Sequence, residues 1–210
     1  MNAGQRDGEI AVLWLKAFGA HAITVPGPRS TEAYKPIVNP GKFEGLLPVL
    51  WRDGDDVIYS VPQRSASLAR VIPVSALVQR APVHGLDVAP MLPYVAALDD
   101  PSLPPAEFHW RNLHRATIHA RVAADQVILV QTNYHPGWRA SVGGAAREVS
   151  TDGLGLLVVR PQCNGECDVD LVFDGGTEAM MTRALSAAVT LAVLAWLIAT
   201  LRRPKGDARV

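Results

Sequence analysis

The second half of the chain alternates apolar and polar positions with a period of two, the pattern of half-buried β-strands. The stretch "ATIHARV" places Ile118, Ala120 and Val122 on one face, and "GWRASV" turns Trp138 inward. The run "QVILVQT" is apolar on both faces, which is typical of a central strand, and "AAREVS", "LGLLVVR" and "CDVDLVFD" complete six strands. These strands predict an antiparallel β-sandwich or a partly closed barrel over residues 108–174.

Residues 1–75 predict a small α/β lobe. In "RDGEIAVLWLKAFGA" apolar positions recur at helical spacing, with Asp7 as the N-cap and Gly19 as the C-terminal stop. A strand over His21–Val25 follows, then "LLPVLWRDGDDVIYSVP", which reads as a hairpin, and a further strand in "SLARVIPV". Residues 76–107 are rich in proline and hold one helical stretch, "MLPYVAALDD", so we expect a packed connector there.

An uncharged run of 18 residues, Ala184–Leu201, follows a linker expected at residues 175–183. At 1.5 Å per residue this run would form a helix roughly 27 Å long, close to the hydrocarbon thickness of a bilayer. The alternative is a helix buried in a protein core. Because the run is apolar on every side and the preceding chain is rich in β-strands, we expect a transmembrane helix.

The basic tail at residues 202–210, which contains Arg202, Arg203 and Lys205, sets the expected orientation. By the positive-inside rule the tail is cytoplasmic and the preceding domain is extracytoplasmic, at the inner (plasma) membrane of a bacterium. The first residues, "MNAGQRDGEI", lack the basic and apolar regions of a signal peptide. Either the domain stays inside the cell, or the chain is the tail of a longer membrane protein.

The charge balance and the missing motifs exclude several classes of function. The chain has 20 Lys plus Arg and 20 Asp plus Glu, so no global field attracts it to nucleic acid. It contains no G-x-S-x-G, P-loop, dinucleotide-binding glycine motif or H-E-x-x-H. His109, His114 and His119 fall at intervals of five, which alternate between the faces of a strand, so we do not expect a metal site. We assign no catalytic, cofactor-binding or metal-ligating residue.

The segment "NYHPGW" joins two predicted strands and holds the side chains best suited to carbohydrate contact, Tyr134, His135 and Trp138. Pro136 and Gly137 predict a type II turn, in which the glycine takes a positive φ. Trp138 then faces inward as a core anchor, and a sugar-stacking platform is the alternative. His135 has no carboxylate or nucleophile at a readable spacing, so a solvated turn residue is expected rather than a catalytic base.

The two cysteines, Cys163 and Cys167, flank "NGE". They lack the further ligands that structural zinc needs. In a hairpin with a three-residue loop they would face each other at a Cα distance of about 4.5 Å, which suits a disulfide. We expect that disulfide and an oxidising compartment, and two buried thiols in the cytoplasm are the alternative.

Taken in order, these features resemble the C-terminal end of the YfhO family of large bacterial membrane proteins. The matching segments are an apolar strand, a Tyr-x-Pro-Gly-Trp-basic segment, a glycine turn, a "P-x-x-x-G-x-x-x-V-x-L-x-F" hairpin and a terminal apolar helix. They lie at Val127–Val130, Tyr134 to Arg139, Gly143–Gly144, Pro161 to Phe173 and Ala184 to Leu201. The upstream "LWLKAFGAHAITV" and "LPVLWRDGDDVIYSVP" extend the resemblance over nearly the whole chain.

The resemblance implies a fragment of a polytopic protein related to the GT-C glycosyltransferases, which move a sugar from a polyprenyl-phosphate carrier onto an extracytoplasmic acceptor. The catalytic acid of such enzymes lies between membrane helices that this chain does not contain, so no catalytic residue is carried over. The expected function is a non-catalytic accessory or acceptor-binding module. Its expected partners are membrane lipid, a multi-span membrane module, and a glycan or polyprenyl-linked sugar. A structural or interaction domain of the envelope is the alternative.

Overall fold

The computed structural model describes residues 3–30, 37 and 39–201, with side chains from residue 6 onward. In these ranges there are three α-helices, α1 (Ala3–Ala17), α2 (Leu92–Asp99) and α3 (Gly176–Leu201). The first four strands are β1 (Ala22–Val25), β2 (Val49–Asp53), β3 (Asp56–Ser60) and β4 (Ala69–Pro73). The remaining strands are β5 (Ala106–Asn112), β6 (Arg115–Val122), β7 (Gln126–Asn133), β8 (Trp138–Val142), β9 (Ala145–Thr151), β10 (Leu156–Arg160) and β11 (Gly165–Phe173).

The first three strands form a small antiparallel sheet in the order β1-β3-β2, which packs against one side of α1. The hairpin between β2 and β3 turns at Gly54 and Asp55, as its turn chemistry predicts. Gly19 follows α1 with a left-handed φ of 69°, in agreement with its predicted role as the helix stop.

The predicted N-cap at Asp7 is wrong. Helix α1 already begins at Ala3, because the residues before Asp7 include the strong helix formers alanine, glutamine and arginine. Asp7 therefore lies inside the helix, where its carboxylate is 3.1 Å from the ammonium nitrogen of Lys42.

The other eight strands form one antiparallel sheet in the order β4-β7-β10-β9-β8-β11-β6-β5. The sheet curls until β4 contacts β5 and β6, so it is nearly a closed barrel. Its core lies inside the curl, as it would between the two sheets of a sandwich. The predicted fold class is confirmed: a small mixed lobe, an antiparallel β domain and an apolar C-terminal helix.

The alternating strands direct their apolar side chains into this barrel. Ile118, Ala120 and Val122 of β6 are no more than 2% exposed, and they share the interior with Val169 and Leu171 of β11. Burial of such side chains provides most of the favourable free energy of folding. The two-residue alternation in the sequence therefore identifies correctly which side chains point into the barrel.

A second core lies on the outer face of β4, β7 and β10. Val127 and Leu129 of β7 point into it, whereas their neighbours Ile128 and Val130 point into the barrel. The outer face is covered by α2, by the connector and by one side of α1. Strand β7 is central, as predicted, and it lacks a polar face because protein covers it on both sides.

The boundaries of the sheets differ from the boundaries expected at residues 75 and 107. Strand β4, assigned from the sequence to the first lobe, pairs with β7 of the barrel. Strand β5 begins at Ala106, before the expected end of the connector. Hydrophobic patterning indicates that a strand exists, but not which strand pairs with it, so "SLARVIPV" could not reveal its sheet.

The prediction of a hairpin over Pro161 to Phe173 is wrong. Both edges of β10 are already occupied, by β7 and β9, whereas β11 pairs with β6 and β8. Residues 161–164 cross between the two strands. Cys163 in this crossing is bonded to Cys167 of β11, with Cα atoms 6.1 Å apart. The disulfide thus joins a strand to its incoming loop and does not bridge a hairpin.

Helix α3 begins at Gly176, so residues 176–183 are helical. The prediction of a linker over residues 175–183 is therefore wrong for all but the first residue. Alanine, methionine and glutamate in this stretch extend the helix back from the apolar run. Its 26 residues include none that is buried, and the helix is long and apolar enough to cross a membrane. It is therefore compatible with membrane anchoring. The basic tail, residues 202–210, lies outside the described residues.

Candidate functional site

The Tyr134–Trp138 segment joins β7 to β8. The turn closes through a hydrogen bond from the Trp138 N–H to the His135 carbonyl, 3.0 Å long. The Gly137 N–H donates to His135 Nδ1 at 2.9 Å, which holds the imidazole against its own turn. The type II prediction is wrong, because Gly137 does not take a positive φ.

Gly137 is needed because of what it contacts. A Cβ atom on this residue would lie 2.7 Å from the Gly176 nitrogen and 2.8 Å from the Gly175 carbonyl carbon. The Gly137 carbonyl also accepts a hydrogen bond from the Asp174 N–H at 2.9 Å. The turn therefore packs backbone to backbone against the start of α3.

An aromatic cluster surrounds this junction, centred on Phe173 at the end of β11. The ring centroids of Trp138 and Phe173 are 5.2 Å apart, and His135 meets Phe173 edge-on at 5.1 Å. Trp110 of β5 lies 6.2 Å from Trp138, and Phe108 lies 5.0 Å from Trp110. The cluster closes the end of the barrel from which α3 leaves.

The three side chains that the sequence offers for carbohydrate contact do not share an open face. Tyr134 and Trp138 pack against the barrel core, and His135 packs against Phe173. A more exposed ring is that of Trp110, at 50%, which the sequence analysis did not single out. The sequence signal that could have identified Trp110 is the alternation of Phe108 and Trp110 with polar neighbours.

A cleft of about 660 Å³ opens between the β5–β6 turn, the end of β11 and the first turns of α3. Arg115 and Arg183 line it, and within the described residues neither guanidinium forms an ion pair. The cleft's carboxylate, Asp174, is already engaged: it accepts from the Gly176 N–H at 2.7 Å and lies 3.1 Å from Arg139 Nε. The cleft therefore presents two free positive charges.

A second cluster of polar side chains lies on the outer face of β5, β6 and β11. Strand pairing places Glu107 and Asp168 on either side of His119, with Glu166 3.6 Å from its Nε2. The hydrogen bond that His119 Nδ1–H donates to Asp168, 2.7 Å long, is the main reason that the pKa of His119 is raised. His109 lies on the same face, because antiparallel pairing places it diagonally from His119.

The sequence treated the three histidines as members of one strand and predicted that the three do not converge. His109 and His119 lie instead on paired strands, as diagonal neighbours on one face. His114 is separate, in the β5–β6 turn against Phe173. Within the described residues, no group of three or more His, Cys, Asp or Glu side chains is arranged to hold a metal ion.

A buried polar network joins the small lobe to the barrel. The Tyr94 hydroxyl donates to the Ala17 carbonyl at the end of α1 at 3.1 Å, and it accepts from Gln131 Nε2 at 3.2 Å. Gln131 Nε2 also donates to the carbonyls of Lys16 and Ala17 at the end of the helix. Burial raises the pKa of the Tyr94 phenol, so it remains a neutral donor.

No protein-family model, curated protein or solved structure matches this chain. The strongest geometric feature is the junction at which the Pro-Gly-Trp turn, the aromatic cluster and the basic cleft meet the start of the apolar helix.

Proposed function

We propose that this chain is a membrane-anchored, non-catalytic accessory module of a lipid-linked-sugar transferase of the GT-C type. In this proposal α3 crosses the bacterial inner membrane, with the β domain outside and the basic tail in the cytoplasm. The partner is a multi-span membrane module that carries the catalytic acid. The β domain positions an acceptor glycan or braces that module at the membrane surface.

The observation that carries the proposal is the direct connection between barrel and helix. Strand β11 ends at Phe173 and α3 begins at Gly176, while Gly137 packs against the backbone of Gly175 and Gly176. A domain on a flexible linker would sample a wide volume. This domain is held at one orientation beside the helix, which supports a role at the surface where lipid-linked sugars present their head groups.

Activity measurements test the non-catalytic role. Sugar transfer needs a carboxylate beside the acceptor and a clamp on the departing phosphate. The chain is placed in lipid with labelled polyprenyl-linked sugar and candidate acceptors, alone or with the multi-span protein that co-purifies with it. We expect turnover only when both proteins are present, and a Gly137→Ala chain should support less of it. Turnover by the chain alone would contradict the proposal.

The location of the β domain is tested through its cysteines. The Cys163–Cys167 disulfide supports an oxidising, extracytoplasmic compartment. Mass spectrometry after alkylation of intact cells, without reductant, should show the two residues linked and unmodified by the alkylating reagent. Two freely alkylated thiols would count against both the disulfide and the proposed orientation.

One observation favours the alternative, an envelope interaction domain without a carbohydrate role. The edge strand β2 exposes three apolar side chains, Val49, Leu50 and Trp51, at 52%, 65% and 52%. Exposed apolar strand edges are typical of protein interaction surfaces.

Titrating the detergent-solubilised chain with envelope glycans while following Trp fluorescence separates the two roles. A saturable change that Trp110→Phe removes would support acceptor binding. The alternative would be supported if no glycan changed the fluorescence and if the Trp51→Asp chain lost its protein partners.

A further inference from the structure

We propose that the β5–β6 turn is a second membrane contact, in which Leu113 enters the bilayer interface and Arg115 and Arg183 bind the phosphates of anionic phospholipid head groups. This inference rests on the proposed membrane span of α3. It adds a lipid-binding site where the β domain meets α3, formed by residues outside the uncharged run.

The turn lies at the end of the barrel from which α3 leaves. Arg115, the first residue of β6, pairs with Val172, near the end of β11. The Phe173 N–H donates to the His114 carbonyl at 2.8 Å, which ties the turn to the last residue of β11. The same cleft is lined by the turn and by Arg183 of α3. The turn and the first turns of the helix therefore face one another.

The depth of this region follows from the helix. Arg183 directly precedes the uncharged run, so when that run occupies the hydrocarbon core, Arg183 lies at the level of the lipid head groups. From Gly176 to Arg183 the helix rises roughly 10 Å, about the depth of a head-group layer. The barrel end beside these turns is thus placed in that layer, within reach of lipid phosphates.

The exposed apolar side chains and the free basic groups at this end of the barrel are of the kinds that bind a lipid surface. Leu113 is 91% exposed and lines the cleft beside α3. Trp110, which belongs to the aromatic cluster with Trp138, is 50% exposed. Tryptophan and arginine are typical residues of membrane interfaces, and anionic head groups attract free guanidinium groups. The opposite end of β6 provides a contrast, because its turn to β7 exposes Ala124 and Asp125, without a large apolar side chain.

The test compares two labelling sites at the two ends of β6. Leu113→Cys and Ala124→Cys chains are each labelled with an environment-sensitive thiol fluorophore and placed in vesicles of phosphatidylcholine, alone or mixed with phosphatidylglycerol. The unmutated chain controls for labelling of Cys163 or Cys167. We expect blue-shifted emission, quenched by lipid nitroxides, at position 113 only.

The anionic lipid should raise the quenched fraction about twofold or more, and Arg115→Gln with Arg183→Gln should remove that increase. Emission typical of water at position 113 in a membrane-integrated chain would overturn the inference. If inorganic phosphate reversed the effect of the anionic lipid, the two arginines would form a site for small anions and not for phospholipid, which would overturn the inference. Release of the chain by alkaline carbonate would contradict the membrane span itself, so the two failures are distinguishable.

Discussion

The β barrel is joined to its two neighbours by junctions of different construction. Towards the small lobe, Tyr94 and Gln131 bind the end of α1 through side-chain hydrogen bonds in a buried site, where Tyr94 is 0% exposed. Towards α3, the contact is glycine backbone on glycine backbone, rimmed by half-buried aromatic rings and an exposed ion pair. We infer that the first junction stabilises the fold and the second sets an orientation.

Replacement of Tyr94 by alanine should have the largest effect. It removes a fully buried aromatic ring and one hydrogen-bond partner from each of Gln131 and the Ala17 carbonyl. We expect a loss of about 3–5 kcal/mol in the free energy of unfolding. Tyr94→Phe, which keeps the ring, should cost about 1–2 kcal/mol. Denaturant unfolding of the chain in detergent measures both, and similar values for the two variants would contradict a role for the hydroxyl network.

Trp138→Ala tests whether the aromatic cluster stabilises the barrel or serves a ligand. Trp138 is half-buried against the core and against Phe173, so we expect a loss of about 2–3 kcal/mol, below the 3–5 kcal/mol typical of a fully buried Trp. His135→Ala, in the same turn, should cost less than about 1 kcal/mol. A Trp138→Ala protein of unchanged stability that had lost glycan binding would show that the ring is a recognition platform.

The sequence predicted local structure well and long-range contacts poorly. Strands β6 and β7 were readable because their side chains report which faces are covered. The partners of β4 and β11 were not readable, since pairing depends on strands distant in sequence. For the same reason the position of the turn at Gly137 could be predicted, but not the contact with Gly176 that requires a glycine there.

Gly137→Ala should separate orientation from stability. The added methyl group would overlap the backbone of Gly175 and Gly176, so the turn and the helix must move apart. We expect a loss of about 1–3 kcal/mol, the usual range for inserting one methyl group into a tight contact. Distances between spin labels on the barrel and on α3 should broaden in this variant and stay narrow in Tyr94→Phe. An unchanged distribution would contradict the orienting role of the glycine contact.

Arg139→Gln should have the smallest effect, and it tests whether the exposed charges hold the second junction. Arg139 Nε lies 3.1 Å from Asp174, but both side chains are about half exposed, and such ion pairs contribute about 0–1 kcal/mol. Asp174 also accepts the Gly176 N–H at the start of α3, so Asp174→Ala should cost more, about 1 kcal/mol, through loss of that acceptor. Unfolding measurements at low and high salt distinguish the two contributions, because salt screens the ion pair and leaves the cap largely intact. If Arg139→Gln destabilised the chain as much as Trp138→Ala, the second junction would depend on charge, and the contrast with the buried network around Tyr94 would have to be redrawn.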